Sequence, residues 1–200
     1  MKKDDALKKA VEIGTLITNK SYDIEVAVAD MPFTATLPII KRNNPGDPID
    51  VEGIDLSSLD PHIFEVIIFG SVAQDKENVG DIDIIVIDGG YFSTVFSCVD
   101  DVDDWYSDIS NNLFYLLTEW LYCSEEEVSF ITAPTDVHIF PLKMLKNKSF
   151  RQDIAQKHSD PCFLQNAFSS ILRFDGKAFV PIDVAYLENK YETDLSDLKK

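Results

Sequence analysis

The stretch Phe64–Asp88, FEVIIFGSVAQDKENVGDIDIIVID, constrains the fold more than any other part of the chain. Glu65 to Phe69 is a short β-branched and aromatic run, which predicts a strand. Gly70 and Ser71 stop it, a polar loop follows to Gly80, and Asp81 to Ile87 is a second, isoleucine-rich run. Strand side chains alternate faces, so Asp81 and Asp83 point the same way. Two carboxylates therefore stand side by side at the start of a strand that is otherwise apolar. Their repulsion and desolvation call for compensation. A divalent cation supplies it, and hard oxygen ligands suit Mg²⁺. The competing explanation is that both acids serve a turn, since Gly80-Asp81 is a turn dipeptide. That accounts for Asp81 but not for Asp83, which lies inside the run.

The order Phe69, Gly70, Ser71, a nine-residue spacer, then Asp81, Ile82, Asp83, Ile84 resembles the signature of the nucleotidyltransferase superfamily with the polymerase-β type palm. The resemblance spans Phe64 to Pro141, about two-fifths of the chain. It implies an α/β (α+β) fold, a mixed central sheet with flanking helices. It also implies a third carboxylate on a later strand, and Asp136 in TDVHIF stands in that place. By this resemblance Asp81, Asp83 and Asp136 are metal ligands and catalytic residues, two Mg²⁺ ions are the cofactors, and a nucleoside triphosphate is the substrate. Asp136 would hold or deprotonate the acceptor hydroxyl. Gly70 lets the backbone approach the triphosphate, and Ser71 supplies a hydroxyl and an N–H. The expected activity is transfer of a nucleoside monophosphate to a small-molecule or protein acceptor.

The sequence also departs from the pattern. Many small members carry arginines just after the Gly-Ser pair and a serine before the first aspartate. Here Val72, Gln74 and Gly80 occupy those places. Cations must then come from elsewhere. PLKMLKNKSFR, Pro141 to Arg151, is the basic cluster of an acidic chain, and it directly follows TDVHIF. Lys143 and Lys146 are therefore candidates for the β- and γ-phosphates, against the alternative of an ordinary solvated helix face. Lys41 and Arg42 are weaker candidates. His138 shares a strand face with Asp136 and is read as a ligand, an acid-base partner or a satisfied strand histidine.

The 200 residues make one domain: a core over 60–145, an N-terminal extension over 1–59 and a helical appendage over 146–200. The formal charge of −17 weighs against long nucleic acid as a partner, because phosphate binding needs a basic surface. No run of about 18 apolar residues predicts a membrane span, and MKKDDALKK lacks the apolar region of a secretory signal. Three scattered cysteines without CxxC spacing suit reduced thiols, so a cytoplasmic protein is expected.

Along the chain, Asp4 to Asn19 reads as an amphipathic helix with Leu7, Ala10, Val11, Gly14 and Ile17 on one face. Asp23 to Ile40 reads as a hairpin or two short strands, and Trp105 to Cys123 as a helix preceded by the acidic run Val99–Asp104. VSFITA and TDVHIF read as two strand-like pieces split by Pro134. Phe150 to Phe174 reads as helical with a break at Asp160-Pro161, then a turn at Asp175-Gly176, a short strand AFVPIDV and a frayed charged tail. Two other functional classes stay open. One is a non-catalytic palm-fold binding module that works through a protein partner, as antitoxin-like relatives do. The other is an acidic mimic of nucleic acid. A sugar transferase with an Asp-x-Asp metal site is a weaker enzymatic rival, since it has no need of the Gly-Ser turn.

Overall fold

The computed structural model describes residues 1–29, 36–41, 50–55, 64–89, 117–118, 121 and 123–199. Its helices are α1 (Lys3–Ala29), α2 (Gly70–Ala73), α3 (Glu125–Thr132), α4 (Leu142–Lys146), α5 (Lys148–Lys157), α6 (Phe163–Phe168) and α7 (Val184–Tyr191), with a 3₁₀ turn at Ser196–Leu198. Its strands are β1 (Thr36–Lys41), β2 (Asp50–Asp55), β3 (Phe64–Phe69), β4 (Ile82–Asp88), β5 (Thr135–Pro141), β6 (Ile171–Phe174) and β7 (Phe179–Ile182). β1 and β2 form an antiparallel pair. The other five form one sheet in the order β5-β4-β3-β6-β7, with β4 and β5 parallel and the remaining pairs antiparallel. The expected class, a mixed central sheet with flanking helices, is what the chain adopts.

Period-two alternation divides the sheet into two apolar faces. Val66, Ile68, Ile82, Ile84, Val86, Val137 and Ile139 face α1, which buries Ala6, Ala10, Ile13 and Ile17 against them. Ile67, Phe69, Ile85, Ile87 and Phe140 face the other way, onto Leu145, Phe150, Ile154, Leu164, Phe168 and Leu187 of α4 to α7. Strands covered on both sides read as near-continuous apolar runs, as β3 and β4 do. Among the described residues no helix is long and apolar enough to cross a membrane.

Several local expectations are corrected. α1 continues through Asp23 to Ala29, where alternation of Ile24, Val26 and Val28 predicts a strand. β-branching is a weak prior that a continuing helix overrides. The buried stripe of α1 is Ala6, Ala10, Ile13, Gly14 and Ile17, so Ala10, Gly14 and Ile17 of the expected face are buried, whereas Leu7 and Val11 are only partly buried. VSFITA belongs to α3 and is not a strand. Ser124 accepts from the Glu127 N–H while Glu127 accepts from the Ser124 N–H, a reciprocal cap that starts a helix. Ile171 to Phe174 is β6 and not the end of a helix. The Asp175 carboxylate accepts from the Lys177 and Ala178 N–H groups, and Gly176 takes φ +98°, so the turn pairs two short runs into a hairpin. The C-terminal segment is not frayed: α7 is capped by Asp183, and Leu195 and Leu198 are buried beyond it. The helix expected over Trp105–Cys123, the acidic run Val99–Asp104 and Arg42 lie wholly or mostly outside the described residues.

One buried acid ties the second face together. Glu65, 3 % exposed, accepts from Arg173 Nε, from Tyr191 OH and from Lys190 Nζ, the last at 2.9 Å. Burial by itself would raise the Glu65 carboxyl, but the Tyr191 and Lys190 hydrogen bonds, the Lys190 charge and Arg173 outweigh it and hold the group below its ordinary value. A carboxyl depressed in the folded state adds stability above its unfolded pKa and loses it as pH falls through the folded pKa. Glu65→Gln is therefore expected to flatten the acid limb of stability against pH, measured by urea unfolding from pH 7 to pH 3. An acid limb identical in slope to wild type would refute this role.

Candidate functional site

β3 ends at Phe69, whose register partner on β4 is Asp83, and Asp83 in turn faces Asp136 on β5. The two carboxylates come from neighbouring strands on the face opposite α1. Asp81 directly precedes β4, whose first residue anchors there through Ile82 N–H to the Pro134 carbonyl at 3.2 Å. Gly70 takes φ +68°, and a Cβ built on it would stand 2.0 Å from Asp83 Oδ2. The turn needs glycine twice over, for its backbone angle and for the carboxylate packed against it. The Ser71 backbone helps to stabilise the charge of that same carboxylate. The Gly-Ser turn thus closes on Asp83, and the helix it opens is the single turn α2.

Burial, then the charges of Asp81 and Asp136, push the Asp83 carboxyl up to about 6, against the opposing pull of His138 and the Ser71 N–H. Asp136 differs. His138 Nε2 lies 3.4 Å from Asp136 Oδ2, and its hydrogen bond holds Asp136 below the usual carboxylate range despite partial burial. Asp136 also keeps 59 % of its side chain exposed, so an incoming group can reach it. His138 sits in a ring of aromatic contacts, 5.9 Å from Phe69 and 6.0 Å from Phe163 between centroids.

The Ser71 hydroxyl is buried with no hydrogen-bond partner among the described residues, as is that of Thr135, which by strand alternation points with Val137 to the α1 side of the sheet. A buried hydroxyl left unpaired is costly and marks a place where a ligand or water belongs. The oxygen-only donor set of Asp81, Asp83 and Asp136 fits the chemistry of a hard divalent ion. The raised Asp83 carboxyl has the like-charge environment that such an ion relieves. Among the described residues no three His, Cys, Asp or Glu are gathered tightly enough to enclose a metal ion. Asp83 and Asp136 are brought together as register partners, and Asp81 acts on Asp83 through its charge.

Lys143 and Lys146 are placed elsewhere. They lie on α4, which starts after Pro141, the register partner of Asp88. That is the far end of β5 from Asp136, about 17 Å away at the rise of a strand. Adjacency in sequence to β5 did not reveal at which end of the sheet the lysines fall. Arg151 of the same basic cluster is 1 % exposed and is engaged by Asp197, at 2.6 Å and 2.9 Å. Sequence reasoning missed Phe163, whose ring meets Phe69 and His138 and which leaves no local signal because it comes from a distant helix.

Comparison of the chain with protein-family models, with curated proteins and with solved structures finds no match.

Proposed function

We propose that this chain is a metal-dependent nucleotidyltransferase that moves a nucleoside monophosphate from a nucleoside triphosphate to a hydroxyl of a small molecule or protein. The observation that carries this reading is the register Phe69–Asp83–Asp136, with the Gly70-Ser71 turn closed on Asp83. Magnesium ions, when bound by Asp81, Asp83 and Asp136, would supply charge neutralisation for the oxygens on either side of the transferred phosphorus. The Ser71 hydroxyl, buried with no hydrogen-bond partner among the described residues, would donate to a phosphate oxygen. In the transfer itself the acceptor oxygen forms a bond to the α-phosphorus, the bond from that phosphorus to the bridging oxygen breaks, and pyrophosphate leaves. The acceptor proton goes to Asp136, which its His138 hydrogen bond keeps ionised and which is exposed enough to be reached. The acidic surface favours a small or cationic acceptor over long nucleic acid.

A second reading has its own support. The Ser71 backbone, which a phosphate would use, already helps to stabilise the Asp83 charge. A palm-fold module that has lost catalysis and binds a protein partner would tolerate that arrangement.

Thermal stability separates the two. A ligand that binds only the native state at about 100 times its Kd adds about 2.7 kcal/mol. That corresponds to roughly 5–10 °C for a chain of this size. Wild type is expected to show such a rise with Mg²⁺ plus one of ATP, GTP, CTP or UTP, and Asp83→Asn to show none. No rise with any of the four would sink the transferase reading and leave the binding module.

A further inference from the structure

The residues gathered at the site are carboxylates, a hydroxyl, a histidine and two phenyl rings, and none of them is a lysine or arginine. Lys143 and Lys146 fall at the other end of β5. Arg173 and Lys190 are committed to Glu65, Arg151 to Asp197 and Lys3 to Asp75. A triphosphate beside Asp81, Asp83 and Asp136 brings more negative charge than two divalent ions offset, so a protein cation belongs there.

The spacer between Ser71 and Asp81 carries one lysine, Lys76. Its N–H donates to the Ser71 carbonyl at 3.1 Å, so its backbone stands against the Gly-Ser turn. Ser71 itself has a buried hydroxyl without a partner among the described residues, which calls for a ligand or water at this turn. The loop around Lys76 is pinned on both sides. The Gln74 N–H donates to the Gly70 carbonyl at 3.0 Å, and Asp75, left-handed at φ +62°, is paired with Lys3. Beyond Lys76, the Lys3 N–H donates to the Glu77 carbonyl at 3.2 Å, and Met1 and Val79 exchange backbone hydrogen bonds at 2.9 Å and 3.0 Å. A cation on a pinned loop loses less freedom on binding than one on a free loop.

The Lys76 side chain is exposed and forms no ion pair among the described residues. Lys2, bridged to Asn78, is also exposed, but it lines a hollow with Asp4, Asp75 and Glu77, whose charges repel an anion. Lys76 lies outside that lining.

We propose that Lys76 is the cation that binds the β- and γ-phosphates of the substrate nucleotide. This rests on the nucleotide reading above and extends it to the residue that holds the triphosphate. The lysine stem is a flexible four-carbon chain ending in a point charge. Anchored at Ser71, it brings that charge alongside phosphates received by the turn, and the ammonium donates charge-assisted hydrogen bonds to their oxygens.

The experiment compares two probes by calorimetry in Mg²⁺: the preferred one of ATP, GTP, CTP and UTP, and inorganic tripolyphosphate. The variants are Lys76→Ala, Lys76→Arg and Lys146→Ala, each checked for a wild-type urea midpoint. Lys76→Ala is expected to weaken both probes on the order of 10-fold, the loss of one charge-assisted contact. Lys76→Arg, which keeps the charge, is expected to restore most of the affinity. Lys146→Ala removes the same charge from the far end of β5 and is expected to leave both probes unchanged. Unchanged binding in Lys76→Ala, or an equal loss in Lys146→Ala, overturns the assignment of Lys76 while the transferase reading stands. Wild type that binds neither probe overturns both.

Discussion

Gly70→Ala is expected to destabilise the protein by about 2–4 kcal/mol, the sum of a left-handed backbone angle and an overpacked contact. The angle is φ +68°, and the new methyl would sit 2.0 Å from Asp83 Oδ2 and 2.8 Å from its Cγ. The carboxylate cannot stay where it is. Gly176→Ala is the control. Its φ is +98°, but nothing lies within 4 Å of the added carbon, so backbone strain alone remains. Urea unfolding of both variants, and of Gly70→Ala combined with Asp83→Ala, measures the contact directly. The double variant should recover part of the loss, a non-additivity typical of touching groups. If Gly70→Ala costs no more than Gly176→Ala, the turn does not close on Asp83 as described. The same substitution should also abolish any nucleotide-dependent rise in melting temperature, because the site is built around this contact.

Arg151→Ala is expected to cost about 3–5 kcal/mol, the usual penalty for removing one member of a buried charged pair. The guanidinium holds three pieces of chain at once. It donates to both oxygens of Asp197, to the Asp194 carbonyl at 2.9 Å and to the Leu145 carbonyl. Its loss leaves those acceptors without their donor and releases the segment that buries Leu195 and Leu198. The guanidinium is also what holds the Asp197 carboxyl below its ordinary value. Arg151→Lys keeps the charge but not the fork, so it should recover less than half of the stability. Limited proteolysis provides a second readout, with cleavage after residue 190 expected to accelerate in Arg151→Ala. Wild-type stability and unchanged cleavage would show that the tail is held by apolar contacts alone.

The two variants probe different levels of legibility. The demand for glycine at position 70 was visible as a strand followed by Gly-Ser, but its cause was not. The turn is expected to free the backbone for a phosphate, and the glycine also accommodates a carboxylate thirteen positions later in the chain. Arg151 looked like one of several surface cations. Nothing local distinguishes it from Lys148, because its burial depends on Asp197, 46 residues away. Helix α3 was legible in principle through Ser124 and Glu127, but the apolar run after them outweighed the cap. β6 was obscured because four residues are too few to show a period.

The sequence alone determined the alternation of β3, β4 and β5, and with it the shared face of Asp136 and His138. These are local consequences of a two-residue repeat, which holds whatever the neighbours are. Tertiary structure decided which strands lie side by side, that Asp136 registers with Asp83, that Lys143 and Lys146 fall at the opposite end of β5, and that Phe163 meets His138. Each of these depends on pairings between distant parts of the chain, where burial and steric fit choose among partners that local pattern leaves equivalent.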